Sequence, residues 1–127
     1  MMRAVRGATT VDANTREAIV REVYPLLEQL CRLNHLSPER IVSVFFTVTS
    51  DLTAVSPAFA ARTTMPGWEE VALMCAQEPD VEGLPARCVR VLIHFNADFE
   101  NQAPLVPVYL NGAVQLRPDW AQRQVEP

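Results

Sequence analysis

The sequence predicts an α+β domain in which a mixed sheet of five or six strands packs on one long helix. Three observations carry that reading. A single apolar stripe at helical spacing runs through "NTREAIVREVYPLLEQLCRL". Several short runs rich in β-branched and aromatic residues stand apart from it. Clusters of Pro, Gly, Asn and Asp separate those runs. With 127 residues, one domain is expected, spanning 1–120, with 121–127 as a flexible C-terminal tail.

The elements follow in chain order. "RAVRGATTV" reads as a first strand ending near Val11, with Arg6 and Gly7 set in its middle. Gly7 suggests the close approach of a neighbouring segment. Asp12 and Asn14 are cap residues, and Asn14 with Glu17 has capping-box spacing. The helix then runs to about Leu33, its stripe formed by Ile19, Val23, Leu26, Leu27, Leu30 and Leu33. Pro25 removes one helical hydrogen bond and predicts a kink. In "LSPER", Ser37 and Pro38 predict a second helix start. "IVSVFFTVT", residues 41–49, is apolar on both faces and predicts a central strand covered on both sides. "SPAFAARTT" predicts a short helix and "MPGW" a turn. "EVALMCAQ" and "CVRVLIHFNA" predict strands over 70–77 and 88–97, joined by the loop "EPDVEGLPA". In "VPVYLNGAVQL", Asn111-Gly112 between apolar runs predicts a hairpin.

One long helix covers only part of one sheet face. The apolar remainder predicts symmetric self-association.

Composition narrows the function classes. All 11 basic residues are arginine, so lysine Schiff-base and P-loop chemistry are excluded. Guanidinium forks suit carboxylates. The formal net charge of −4 argues against nucleic-acid or anionic-membrane partners. Cys31, Cys75 and Cys88 form no C-x-x-C pair, which suits reduced thiols in a cytoplasm. The sequence shows no apolar leader and no run of membrane-spanning length.

Alternation in "CVRVLIHFNA" places Val89, Val91, Ile93 and Phe95 on one face, and Cys88, Arg90, Leu92 and His94 on the other. An arginine within so apolar a strand requires a partner or a bound anion, unless it reaches solvent from a sheet edge. Glu78, which closes one strand and begins a loop, reads as an ordinary solvated loop acid. Cys75 fits a small buried hydrophobe, Tyr109 a packed ring with its hydroxyl at a rim. His94 fits a structural role and His35 a helix-end or surface role. The two histidines make no metal site, and no nucleophile motif occurs. This inventory suits binding of a small polyanion better than proton shuttling.

Taken in order, "RGATTV", "GW" before "CAQEPDV", "CVRV", and "VYL" followed by "LRPD" resemble the monofunctional chorismate mutases of the trimeric, pseudo-α/β-barrel class. The resemblance covers about residues 1–120. It implies a homotrimer with active sites between subunits, chorismate as substrate, prephenate as product, a place in Phe/Tyr biosynthesis, a cytoplasmic location and no cofactor or metal. By the same resemblance Arg90 hydrogen-bonds the substrate's ether oxygen, and Glu78 accepts from its ring hydroxyl. Cys75 lies beside that hydroxyl, and Arg6 and Tyr109 surround the carboxylates. The segment Met74, Cys75, Ala76, Gln77 and Glu78 lines the site, with Arg62, Leu116 and Arg117 at its rim or wall. The chain departs from the family pattern at Phe59, where a lysine is usual, at Ser56, where an aromatic is usual, and at Met74, where a small hydroxyl residue is usual. Two other readings stand beside this one. One is a trimeric enamine/imine deaminase of the Rid type, which also holds a carboxylate on an inter-subunit arginine. The other is a non-catalytic protein that binds a small anion.

Overall fold

The structure, a computed structural model, describes residues 1–98 and 103–119. The expected tail at 121–127 lies outside the described residues. Five strands are present: β1 (Met2–Thr10), β2 (Ile41–Val48), β3 (Leu73–Gln77), β4 (Cys88–Asn96) and β5 (Val108–Tyr109). They form one mixed sheet in the order β3-β2-β4-β1-β5. Strand β4 is antiparallel to both β1 and β2, while β3 runs parallel to β2 and β5 parallel to β1. The α-helices bounded within the described residues are α1 (Arg16–Leu33) and α2 (Pro57–Thr64).

Alternation explains which face is covered. Val89, Val91, Ile93 and Phe95 of β4 are buried, together with Val5, Val44, Phe46 and Val108 of the other strands. Against them lie Ile19, Val23, Leu26, Leu27 and Leu30 of α1, all essentially inaccessible. Pro25 sits within α1 without ending it, because the residues after it continue the stripe that the core buries.

Gly7 gives β1 its place between β4 and β5. A Cβ there would lie 2.6 Å from the Val108 carbonyl oxygen and 3.1 Å from methyl carbons of both Leu26 and Leu30. Only glycine lets β5 and α1 approach β1 so closely.

Several elements differ from expectation, each for a local reason. The helix cap is Thr15, not Asn14: its hydroxyl accepts from the Ala18 N–H at 3.1 Å. Asn14 instead braces the loop before α2, accepting from the Thr53 and Ala54 N–H groups. "LSPER" yields only a 3-10 turn, Pro38–Arg40, because the β-branched run of β2 starts at the next residue. The strand expected from residue 70 begins at Leu73, since Gly67 adopts φ +82° and Trp68–Glu70 forms a 3-10 turn around the buried Trp68. The Asn111-Gly112 hairpin does not form. Asn111 does take a left-handed φ of 54°, but the chain continues into a 3-10 turn, Asn111–Leu116. The Gly112 N–H donates to Thr10 Oγ1 at 2.8 Å, and Asn111 donates to Glu22 at 2.6 Å. These bonds tie the segment to β1 and α1, so β5 lies parallel to β1 and no return strand follows among the described residues. Finally, within this chain β2 is covered on one face only: Val44 and Phe46 are buried, while Phe45 on the other face remains exposed.

Replacing Gly7 by alanine forces a methyl group onto a backbone oxygen. The expected loss is about 1–3 kcal/mol, the usual range for overpacking. Urea unfolding at fixed protein concentration should show a lower midpoint with an unchanged slope; an unchanged midpoint would contradict the role given to Gly7.

Candidate active site

The open face of the sheet carries the polar groups. Pairing aligns Ala76, Thr47, Arg90, Ala8 and Tyr109 into one row that crosses all five strands. Two residues along, Met74, Phe45, Leu92 and Arg6 form a second row on the same face. A cleft of about 240 Å³ lies over these rows, lined by Arg6, Phe45, Thr47, Glu78, Arg90, Leu92 and Tyr109, with Gly7 and Val91 beneath. Ala8 is small, which keeps the space between Arg90 and Tyr109 clear.

Arg90 stands on the middle strand, not at an edge, so the edge-arginine reading does not apply. Its Nη1 donates to Glu78 Oε1 at 3.2 Å. The Thr47 hydroxyl donates to the same oxygen at 2.7 Å. Glu78 lies one residue past β3, where its N–H still bonds the Val48 carbonyl at 2.8 Å. That bond extends the ladder and turns the Glu78 side chain onto the face of Thr47 and Ala76.

Tyr109 collects cations. Burial pushes its hydroxyl pKa upward, while Arg6, Arg117 and Arg90 pull it down and Asp119 adds a small opposing effect. Three guanidiniums therefore act on one phenol, which stays a protonated donor at neutral pH. Arg117 also contacts Asp119 through two bonds of 3.3 Å.

The structure brings Arg6, Glu78, Arg90 and Tyr109 together. Leu116 packs behind them on Ala8, Cys88, Tyr109 and Ala113, and Arg117 follows it. The remaining expected residues do not line this cleft. Met74 and Ala76 lie on the open face of the edge strand β3, with Met74 64% exposed. Cys75 is paired with the buried Phe46 and packs on the helix side, on the opposite face from Arg90. Gln77 is exposed at the end of β3. Arg62 lies on α2, its guanidinium 5.6 Å from the Phe59 ring centroid. Phe45, Thr47 and Leu92 are cleft-lining side chains that sequence reasoning did not name as site residues. The available signal was a hydroxyl two residues after Phe45 in an otherwise apolar run.

The thiols take no part in the cleft. Burial pushes Cys88 up to about 11, against the partial opposition of Arg90. Burial, with a smaller contribution from Glu28, pushes Cys31 to about 11 as well, and burial raises Cys75. Among the described residues no group of three or more His, Cys, Asp or Glu is placed to hold a metal ion. The arrangement offers an apolar floor, several guanidiniums, a phenol donor and one carboxylate acceptor. It can hold a small dianion and aim a fixed cation at developing negative charge.

Comparison with known proteins agrees with that chemistry. The family model described as chorismate mutase type I matches residues 2–120. Chorismate mutase AroH of Bacillus subtilis (strain 168) is 42% identical over 119 residues, covering 94% of this chain and 92% of that protein. Chorismate mutase AroH of Thermus thermophilus is 42% identical over 125 residues, covering 98% of this chain and all of its own length (100%). The solved structure of a chorismate mutase from Clostridium thermocellum superposes with a TM-score of 0.80 at 47% identity, covering 87% of this chain and 96% of that one.

At pH 8 a thiol with a pKa of about 11 is ionised in only ~0.1% of molecules. Cys31 and Cys88 should therefore react slowly with an aromatic disulfide reagent in the native protein and promptly in denaturant. Rapid native labelling of either residue, mapped by mass spectrometry, would contradict their burial.

Proposed function

Since the chain belongs to the type I chorismate mutase family, we propose that the cleft around Arg90 is where it rearranges chorismate to prephenate. The observation that carries this reading is Arg90 itself: a guanidinium on the middle strand, held by Glu78 above an apolar floor. The chain is an isomerase of aromatic amino-acid biosynthesis by this membership.

The reaction is a unimolecular Claisen rearrangement. One ether C–O bond breaks as one C–C bond forms, and no atom enters or leaves. It requires no nucleophile, general base or redox partner, so no cofactor is expected. Two tasks remain for the protein. The flexible substrate must be held in a compact near-attack shape, and the negative charge growing on the ether oxygen must be met.

Arg90 serves the second task as the catalytic residue, donating to the ether oxygen. Glu78 fixes that guanidinium and accepts from the ring hydroxyl. Arg6 and Tyr109, with Arg117 behind them, hold the carboxylates. Phe45 and Leu92 supply an apolar floor that excludes water and strengthens each charge interaction.

The assembly is a homotrimer on this reading, with 1–120 as one domain. Support comes from the open sheet face, where Phe45 and Met74 are exposed. Arg62 and the open-face residues Met74 and Ala76 of β3, which do not line the cleft of their own chain, close the cleft of a neighbouring copy. Three cysteines without disulfides support a cytoplasmic location. No described helix is long and apolar enough to cross a membrane.

Purified protein should convert chorismate to prephenate without additives, followed by loss of chorismate absorbance; no turnover by the folded protein would end this reading. Arg90→Ala should lower kcat by at least roughly 100- to 1,000-fold, the range for one preorganised donor to a developing oxyanion, with assembly unchanged. Near-normal kcat would remove Arg90 from its role. Light scattering behind size exclusion should return three times the chain mass, and a monomer would refute the inter-subunit cleft.

A further inference from the structure

Of the polar side chains that line the cleft, Thr47 is one the reaction scheme leaves without a task. Thr47 and Ser43 are the two polar residues of β2. Ser43 lies 3.3 Å from His94 Nδ1, outside the cleft. Thr47 lines the cleft, paired across the ladder with Arg90.

Glu78 needs a fixed partner. It lies just past the end of an edge strand, at the start of the long loop to β4, and its side chain has several rotatable bonds. Arg90 holds it from a long side chain that is 42% exposed, through a 3.2 Å contact. The threonine hydroxyl is different in kind. It sits on a β-branched side chain with restricted χ1, on a strand flanked by β3 and β4, and its bond to Oε1 is 2.7 Å. Both donors fall on Oε1. Among the described residues none donates to Oε2, which leaves that oxygen for a hydroxyl of the bound molecule.

We propose that Thr47 is a positioning residue for the rearrangement: its hydroxyl anchors Glu78 Oε1 and, through that carboxylate, orients the Arg90 guanidinium. The inference rests on the reading of this cleft as the active site. Thr47 makes no contact with the reacting atoms. It sets which carboxylate oxygen faces the substrate, and it holds the guanidinium at the angle from which it meets the ether oxygen.

The test is steady-state kinetics with chorismate on the full chain. Thr47→Val keeps shape and strand preference and removes only the hydroxyl. Its kcat should fall roughly 10- to 100-fold, the range for one hydrogen bond to a charged group, with a much smaller change in KM and an unchanged melting temperature. Thr47→Ser should recover most of the lost kcat. In a Glu78→Ala background, Thr47→Val should change kcat less than about twofold, because the coupling passes through the carboxylate. Full kcat in Thr47→Val, a change confined to KM, no recovery in Thr47→Ser, or losses that multiply with Glu78→Ala would each overturn the proposal. Failure of the cleft assignment is separate: it shows in the native protein and in Arg90→Ala, before Thr47 is touched.

Discussion

A guanidinium on the middle strand of a sheet has no lateral route to water, so its charge must be met on the face where it stands. Arg90 imposes that constraint on the whole architecture. The face it occupies cannot carry the helix, because α1 presents an unbroken apolar stripe. The helix therefore packs on Val89, Val91 and Ile93, and Arg90 is left on the open side with Leu92 and His94. Glu78 and Thr47 answer the charge from β2 and the end of β3. The other flank is kept clear by Ala8 and closed by Tyr109. Charge placement and core placement are thus two consequences of one alternation along β4.

The open face is not merely polar. Phe45 and Leu92 lie beside the charged row, and Met74 extends the apolar area towards the β3 edge. A sheet with one covered face normally alternates polar residues outward. This sheet presents apolar side chains on both sides, and burial of the second side requires another molecule. Burial there also removes water from around Arg90 and Glu78, which raises the strength of their contacts and of any contact to a bound dianion. Association and electrostatic preorganisation therefore favour each other on the same surface.

Local patterns made much of this legible. The stripe of α1, the alternation of "CVRVLIHFNA" and the close approach at Gly7 are properties of a few neighbouring residues, and the structure contains each of them. What failed depended on distant partners. Asn111-Gly112 has hairpin chemistry, and Asn111 does adopt the left-handed geometry, but bonds to Thr10 and Glu22 decide the course of the chain. The choice between Asn14 and Thr15 as cap was settled by the loop at Thr53, far away in sequence. In the site, Arg6, Glu78 and Tyr109 were recognised through motifs. Thr47 and Phe45 were missed because their value lies in cross-strand register: Thr47 opposite Arg90, Phe45 opposite Leu92. Cys75 was expected beside the substrate, while its side chain packs on the helix side because Phe46 fixes that face of the β2–β3 pair.

Contacts on α2 bear on Phe59, where the family resemblance implies a lysine. A lysine on the short helix would display a mobile charge. Phe59 displays none, yet its ring has the Arg16 guanidinium 4.9 Å and the Arg62 guanidinium 5.6 Å from its centroid. Each such contact contributes about 0.5–1 kcal/mol at an exposed site and restricts a side chain that is otherwise free. Ser56 supports the same arrangement from the helix start, its hydroxyl accepting from the Phe59 N–H at 3.1 Å. Compared with the lysine that the family resemblance implies, Phe59 carries no charge and lies against two guanidiniums that the chain already has. Long-range attraction for a dianion falls with the lost charge, while a guanidinium already held in place gives up less conformational freedom when it meets a carboxylate.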